Sequence, residues 1–170
     1  HNGREIRADD FVYSFTRIAD PKNKSPGADL LEKVLGFNEF QDGKINYIKG
    51  FKSIDKLTFE IRLSEPFSPF LSVLGTFRFK VVPKEETGKP DSVFSRNPVG
   101  SGPFKFVSMK EKEEIILESN PDYFEGKPHL DRVVFKIFHG APREKILKEF
   151  KEGGLEESFI PPEEIENVVR

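Results

Sequence analysis

Residues 97–103, NPVGSGP, place two prolines and two glycines in seven consecutive positions. Proline fixes φ and removes an N–H donor, while glycine opens backbone angles closed to other residues. No helix interior or central strand tolerates that density, so the segment divides the chain. Ahead of it, residues 84–98 are polar and carry Gly88, Pro90 and Pro98, a linker composition. Behind it, an alternating pattern starts at once with Phe104 and Phe106. The segment reads as a shaped crossing into a strand, and the chain is expected to divide near residues 95–98.

Each side has its own periodicity. Phe11, Val12, Phe15, Ile18 and Ala19 recur at i, i+1, i+4, i+7 and i+8, one face of a helix that Pro21 ends. Ser25-Pro26 predicts an N-cap and a proline in the first turn of a short helix through Leu30, Leu31, Val34 and Leu35, stopped by Gly36. Residues 57–63 alternate strictly. Their spacing predicts a strand that buries Leu57, Phe59, Ile61 and Leu63 and ends before Pro66. Ser68 predicts the cap of a short helix over 68–75. Behind the crossing, residues 102–110 and 113–119 predict a hairpin across the charged turn 110–113. Residues 130–138 are apolar on both faces and predict an internal strand. Residues 141–154 predict a helix with Pro142 near its first turn, Ile146, Leu147 and Phe150 inward, a Glu144–Lys148 pair and Gly153 at its end. The fold class that follows is α/β, with a mixed, mostly antiparallel sheet (α+β in arrangement).

Several function classes fall away. With 27 Lys and Arg against 29 Asp and Glu among 170 residues, the chain has no basic footprint for nucleic acid. No apolar run approaches the length of about 18 residues that a membrane-inserted helix needs. The chain has no cysteine, which removes disulfides, zinc–thiolate sites and thiol nucleophiles. His1, His129 and His139 are isolated and read as surface or strand-end residues, so no metal site is expected. Asp9 and Asp10 read as first-turn acids that complement a helix dipole. Gly100 and Gly102 supply G-x-G, but Pro103 and Phe104 follow where a phosphate-binding helix would start. Ser101 lacks the G-x-S-x-G frame of a nucleophile turn. Asn23-Lys24-Ser25 fits a glycosylation sequon with Pro26 directly after it. No catalytic residue and no cofactor is assigned. The 18 phenylalanines read mostly as core, with Phe67, Phe70, Phe77 and Phe79 flanking a turn-rich stretch that a ligand groove could use.

Four stretches carry a resemblance in their order and spacing: ADDFVYSFTRIADP (8–21), KLTFEIRLSEPFSPFL (56–71), NPVGSGPFKF (97–106) and IILESNPDYFEGKPHLDRVVFKIF (115–138). Together they resemble the extracytoplasmic solute-binding proteins of the dipeptide/oligopeptide family, family 5, which feed ABC importers. The family pattern is an acidic helix with V-Y-S, an N-P-[VI]-G-T-G-P-[FY] crossing, and N-P-x-Y-[WF]-x-G-x-P-x-L-D before a strand. The resemblance runs from about residue 2 to the end of the chain.

The resemblance implies a section of a longer, type II periplasmic-binding-protein-like fold, in which two large lobes and an extra subdomain surround a buried ligand. Residues 1–97 would form part of the extra subdomain and residues 98–170 part of the first ligand-binding lobe. The turn-like start and the helix read into PPEEIENVVR at the end agree with a cut at both termini. Three departures stand out. Arg7 sits where the family has a Thr or Ser cap, so that cap must come from elsewhere. Gly27 sits where peptide-binding members often carry an aromatic that touches ligand. EGGLEES (152–158) replaces the usual G-E-I-D stretch.

The implied function is substrate capture for an ABC importer, not catalysis. The ligand would be a peptide or other small solute, and the partners the importer's membrane subunits. The implied location is the periplasm or the outer face of the cytoplasmic membrane, where a lipid anchor on the full-length protein is one means of attachment. By the resemblance, Gly27, Thr76 and Phe77 would line one side of the ligand cavity. The plainer reading, Gly27 an ordinary turn residue and Phe77 core, stays open. The alternative function is a ligand-sensing or surface-adhesion module on the same fold. A hydrolase is disfavoured, because no nucleophile–base pair or metal cluster assembles. The family's strongest ligand anchors belong to the second lobe, so ligand identity stays open.

Overall fold

Helix α1 (Ala8–Ala19) buries Phe15, Ile18 and Ala19 and keeps Phe11 and Val12 half-buried at the edge, as the apolar spacing predicts. A computed structural model describes residues 1–87, 93–158, 160 and 162. The cap that Arg7 cannot supply from its side chain comes from two other groups. Asp10 Oδ2 accepts the Arg7 amide at 2.8 Å, and the Ala8 amide donates to the Lys56 carbonyl at 3.0 Å. The helix stops at Asp20, whose carboxylate accepts the Lys22 amide in the 3₁₀ turn Pro21–Asn23.

After Pro26 the chain makes a 3₁₀ turn, Ala28–Leu31, in place of a capped helix. Ser25 Oγ accepts the Gly27 amide at 3.3 Å, a turn bond that starts the element two residues later than the N-cap reading. Gly36, at φ 84°, then opens helix α2 (Phe37–Gln41), for which Phe37 and Phe40 are the only apolar signal.

Strand β1 (Phe51–Ser53) pairs antiparallel with β2 (Phe59–Ile61), Lys52 opposite Glu60. The strand predicted over 57–63 is therefore shorter at both ends. Leu57 is 72% exposed, not buried. Asp55 Oδ1 accepts the amides of both Leu57 and Thr58 at 2.8 Å, and this turn holds Leu57 at its tip. Leu63 leaves the ladder to bridge Val34, half-buried against the core.

Gly50 marks the place where three segments meet. Its amide donates to the Leu35 carbonyl at 2.7 Å, its carbonyl accepts the Arg62 amide at 2.8 Å, and the Leu35 amide closes the triangle onto the Arg62 carbonyl at 2.9 Å. A Cβ at Gly50 would lie 2.5 Å from that Arg62 oxygen and 2.6 Å from Val34 Cγ1. Only glycine fits.

Helix α3 (Phe70–Leu74) begins after Pro69, and Ser68 does not cap it, so proline's fixed φ sets the start instead of a side-chain bond. The core gathers between these elements. Phe15 meets Phe59 and Phe79 edge-on with ring centroids 5.6 Å away, and Phe51 at 5.9 Å. Such edge-to-face pairs add to the stabilisation that burial alone provides. Leu31, Val34, Phe37, Ile48 and Phe70 complete the cluster.

The stretch read as a linker contains helix α4 (Lys84–Thr87) and a 3₁₀ turn, Val93–Ser95, while its residues 88–92 lie outside the described residues. The helix read into 161–170 lies outside them too, except for Pro162.

Beyond the crossing, β3 (Phe104–Lys110), β4 (Glu114–Ser119) and β5 (Arg132–Lys136) form an antiparallel sheet in that order, with a register shift between Phe106 and Ser108. Lys112 takes the left-handed position of the hairpin turn at φ 63°. Among the described residues β5 is an edge strand, where the sequence predicts an internal one. It pairs with β4 alone among the described residues, and Val134 and Phe135 are 44% and 54% exposed. Helix α5 (Arg143–Lys151) buries Leu147, pairs Lys148 with Glu152, and ends before Gly153 at φ 77°.

Two clamps tie these parts together. Arg4 forks onto both Asp10 oxygens at 2.7 and 3.0 Å and reaches Glu85 Oε1 at 2.6 Å, joining the leading segment to α1 and α4. The His1 ring accepts the Gly100 amide on Nδ1 at 3.3 Å, and Nε2 lies 2.9 Å from the Gly102 carbonyl, so one neutral tautomer serves both. From the other side, the Asn120 amide donates to Pro103 O at 2.7 Å and its side chain to Gly102 O at 3.3 Å. The glycine–proline crossing is thus bonded on both flanks. The described residues form an α/β fold in which every strand pair is antiparallel.

Candidate ligand-facing site

The turn after Pro26 lays Gly27 against α1, and the chain leaving α3 brings residues 76–79 to the same place. Gly27 is buried with φ −97° and ψ −4°, angles open to any residue, so what glycine gives here is a close approach of its neighbours. A Cβ on it would lie 3.3 Å from Arg78 Cδ and 3.5 Å from Ile18 Cγ2. Its absence lets the Arg78 stem lie down on the turn.

Phe77 and Phe79 part company. Phe79 is buried in the core, as are Phe70 and, in part, Phe67. Phe77 is 73% exposed, and the core reading does not hold for it. The Arg78 guanidinium carbon lies 4.6 Å from the centre of the Phe77 ring, a cation–π contact. Thr76 bonds through its backbone, its amide donating to Val73 O and its carbonyl accepting the Phe79 amide. Its hydroxyl oxygen is shut off from solvent and has no hydrogen-bond partner among the described residues.

Gly27 and Phe77 are thus brought together through a residue that pattern reasoning passes over. Arg78 touches one with its stem and the other with its head. The one signal for it is a lone cation between two phenylalanines in TFRF. The result is a surface patch with an exposed aromatic ring and a guanidinium, preceded in the chain by a shielded hydroxyl. None of these is a nucleophile paired with a base. Among the described residues, no group of three or more His, Cys, Asp or Glu gathers to hold a metal.

Two concavities lie elsewhere. A crevice of about 40 Å³ opens between His1, Arg4, Asp10 and Val82. Beside it, the Arg4 hydrogen bonds hold the Asp10 carboxyl below the usual aspartate range, and Asp10 in turn raises the Arg4 guanidinium. A groove of about 720 Å³ runs between Tyr13, Arg17, Tyr47 and Lys84. Neither is lined by Gly27, Thr76 or Phe77.

Comparison with known proteins gives a consistent result. The family model described as bacterial extracellular solute-binding proteins, family 5 middle, matches residues 1–168. Heme-binding protein A of Haemophilus influenzae is 33% identical over 148 residues, 81% of this chain and 26% of that protein. Di/tripeptide-binding protein 4 of Pseudomonas aeruginosa is 31% identical over 140 residues, 79% of this chain and 26% of that protein. The crystal structure of a periplasmic oligopeptide-binding protein from Borrelia burgdorferi superposes with a TM-score of 0.87 at 28% identity, covering 99% of this chain and 35% of that one. The chain spans about a quarter of the length of the curated relatives it matches.

Proposed function

The chain belongs to the bacterial extracellular solute-binding proteins, family 5, and from that premise we propose that the full-length protein captures peptides or related small solutes for an ABC importer. The observation that carries this reading is the match over residues 1–168, together with an α/β fold that superposes over 99% of this chain on 35% of an oligopeptide-binding protein. Its fold is a section of the type II periplasmic-binding-protein fold.

The remaining elements of the proposal follow the same premise. Residues 1–97 belong to the extra subdomain and residues 98–170 to the first ligand-binding lobe. In support, the buried core cluster falls between Phe15 and Phe79, and the second sheet starts at Phe104. The protein acts by binding, without catalysis or cofactor, and hands its ligand to the importer's membrane subunits. It works in the periplasm or at the outer face of the cytoplasmic membrane. Among the described residues, no helix is long and apolar enough to cross a membrane. Gly27, Thr76 and Phe77 face the ligand from the subdomain side. An exposed ring beside a shielded polar atom suits a mostly apolar site with a few polar groups.

The test is Gly27→Tyr in the full-length protein, with peptide affinity read by calorimetry and folding by thermal melting. A tyrosine ring at this turn, displacing the Arg78 stem, should change affinity or peptide-length preference several-fold. Untouched binding in a folded variant overturns the assignment.

A further inference from the structure

Arg78 carries a feature that ligand capture by shape alone does not use. Its guanidinium has five N–H donors in a planar fork. Among the described residues its one side-chain partner is the Phe77 ring, with no carboxylate or carbonyl accepting from it. That contact is made over the ring by the guanidinium carbon and uses none of the N–H donors as hydrogen bonds. The stem, packed at Gly27, and the head, stacked on Phe77, hold the side chain in one place. An arginine fixed in this way loses less freedom on meeting an anion than one swinging in solvent.

A phenylalanine that is 73% exposed beneath that cation is the second half of the pattern. A ring left in water gains by being covered, and a cation above it is best covered by a group with an anion at one end and carbon at the other. Among the groups a peptide carries, the carboxylate matches the guanidinium fork in geometry as well as charge.

We propose that Arg78 sets the charge preference of this site by pairing with a carboxylate of the bound peptide, while the Phe77 ring packs on the carbon atoms next to it. The inference rests on the reading of Gly27, Thr76 and Phe77 as ligand-facing, and it adds the substrate class: peptides with an acidic group on the subdomain side. The carboxylate has two sources, an acidic side chain or the peptide's C terminus.

The experiment measures binding of Ala-Glu-Ala and Ala-Gln-Ala to the full-length protein by calorimetry, each with a free and an amidated C terminus. The proteins are wild type, Arg78→Ala, Arg78→Lys, Arg78→Glu and Gly27→Tyr, with melting temperatures recorded for all. Wild type should favour the carboxylate-bearing member of one pair by about tenfold. A preference between Glu and Gln identifies the side chain as the source; a preference for the free terminus identifies the C terminus. Arg78→Ala should abolish that preference, Arg78→Lys should retain part of it, and Arg78→Glu should reverse it. If all the Arg78 variants keep the wild-type ratios while Gly27→Tyr still alters affinity, the role of Arg78 is refuted and the site stands. If Gly27→Tyr and the Arg78 variants all bind as wild type does, the site itself is refuted. Lowered melting of Arg78→Ala with unchanged ratios means that the cation serves the fold, which also overturns the proposal.

Discussion

Replacing Gly50 with alanine adds a single methyl group where three backbone segments exchange hydrogen bonds. The added carbon would sit 2.5 Å from the Arg62 carbonyl oxygen, 2.6 Å from Val34 Cγ1 and 3.0 Å from the Leu35 amide nitrogen. Two of those neighbours are backbone, so no side-chain rotation relieves the overlap. The segments must separate, which weakens the bonds from Gly50 to Leu35 and from Arg62 to Gly50. Overpacking of this kind costs about 1–3 kcal/mol. Two weakened hydrogen bonds at about 1 kcal/mol each bring the total to about 3–5 kcal/mol. Gly75→Ala is the control. Gly75 has φ −69° and ψ −9°, and its added Cβ would come no nearer than 3.4 Å to a neighbour. There the substitution should be neutral or stabilise by up to about 1 kcal/mol, because alanine restricts the unfolded chain. Amide hydrogen exchange on the full-length protein is the assay, since it reads opening at Leu35 and Arg62 directly. Wild-type protection at both amides in Gly50→Ala, with melting equal to that of Gly75→Ala, would refute the steric reasoning.

Two further outcomes are expected. The Asp10 carboxyl is lowered in the folded state, chiefly by its hydrogen bonds to Arg4, so its contribution is complete above the ordinary aspartate value of about 4 and is lost as pH falls through the lowered one. Arg4→Met should therefore flatten the loss of stability below pH about 4 and cost about 1–2 kcal/mol at neutral pH; acid unfolding curves of equal slope for the two proteins would contradict it. Thr76→Val removes a shielded hydroxyl that has no partner among the described residues, and should leave the ligand-free protein unchanged or up to about 1 kcal/mol more stable by denaturant titration; a loss of that size would contradict it.

Local chemistry in the sequence was legible wherever the burying surface was also local. The five apolar positions of α1 and the hairpin turn near Lys112 are cases where spacing alone decides the element. Leu57 shows the limit. Alternation assigned it to the strand, yet the Asp55 side chain competes for the same amides and wins. Ser25 and Ser68 carry cap chemistry, but Ser25 spends its hydroxyl on a turn at Gly27 and the element starts later, while at Ser68 the following proline stands directly before the helix. β5 reads as internal because it is apolar on both faces, yet β4 is its one strand partner among the described residues. The contacts that shape the candidate site are the least legible. Gly27 meets Arg78 across 51 positions of chain, by subtraction of 27 from 78, and no local pattern records such a contact. Asp10 likewise reads as a helix-dipole acid, while its forked pair with Arg4 emerges only when the leading segment is laid along α1.

The clamp at the crossing also bears on the order of assembly. The buried core cluster lies between Phe15 and Phe79, and β3 and β4 join through a short turn, whereas the His1 ring reaches Gly102 across 101 positions. The entropy lost in closing a loop grows with its length, by about 0.6 kcal/mol for each doubling. Contacts between near neighbours in the chain therefore form first and distant ones wait on them. The helical core and the hairpin can each condense alone, the Asn120 bonds forming with the hairpin, and the His1 bonds that pin the crossing from the other flank come after both. A joint closed last, by a few hydrogen bonds from one terminal residue, is also the one that lets go first: under mild denaturation the two units should separate there before either melts.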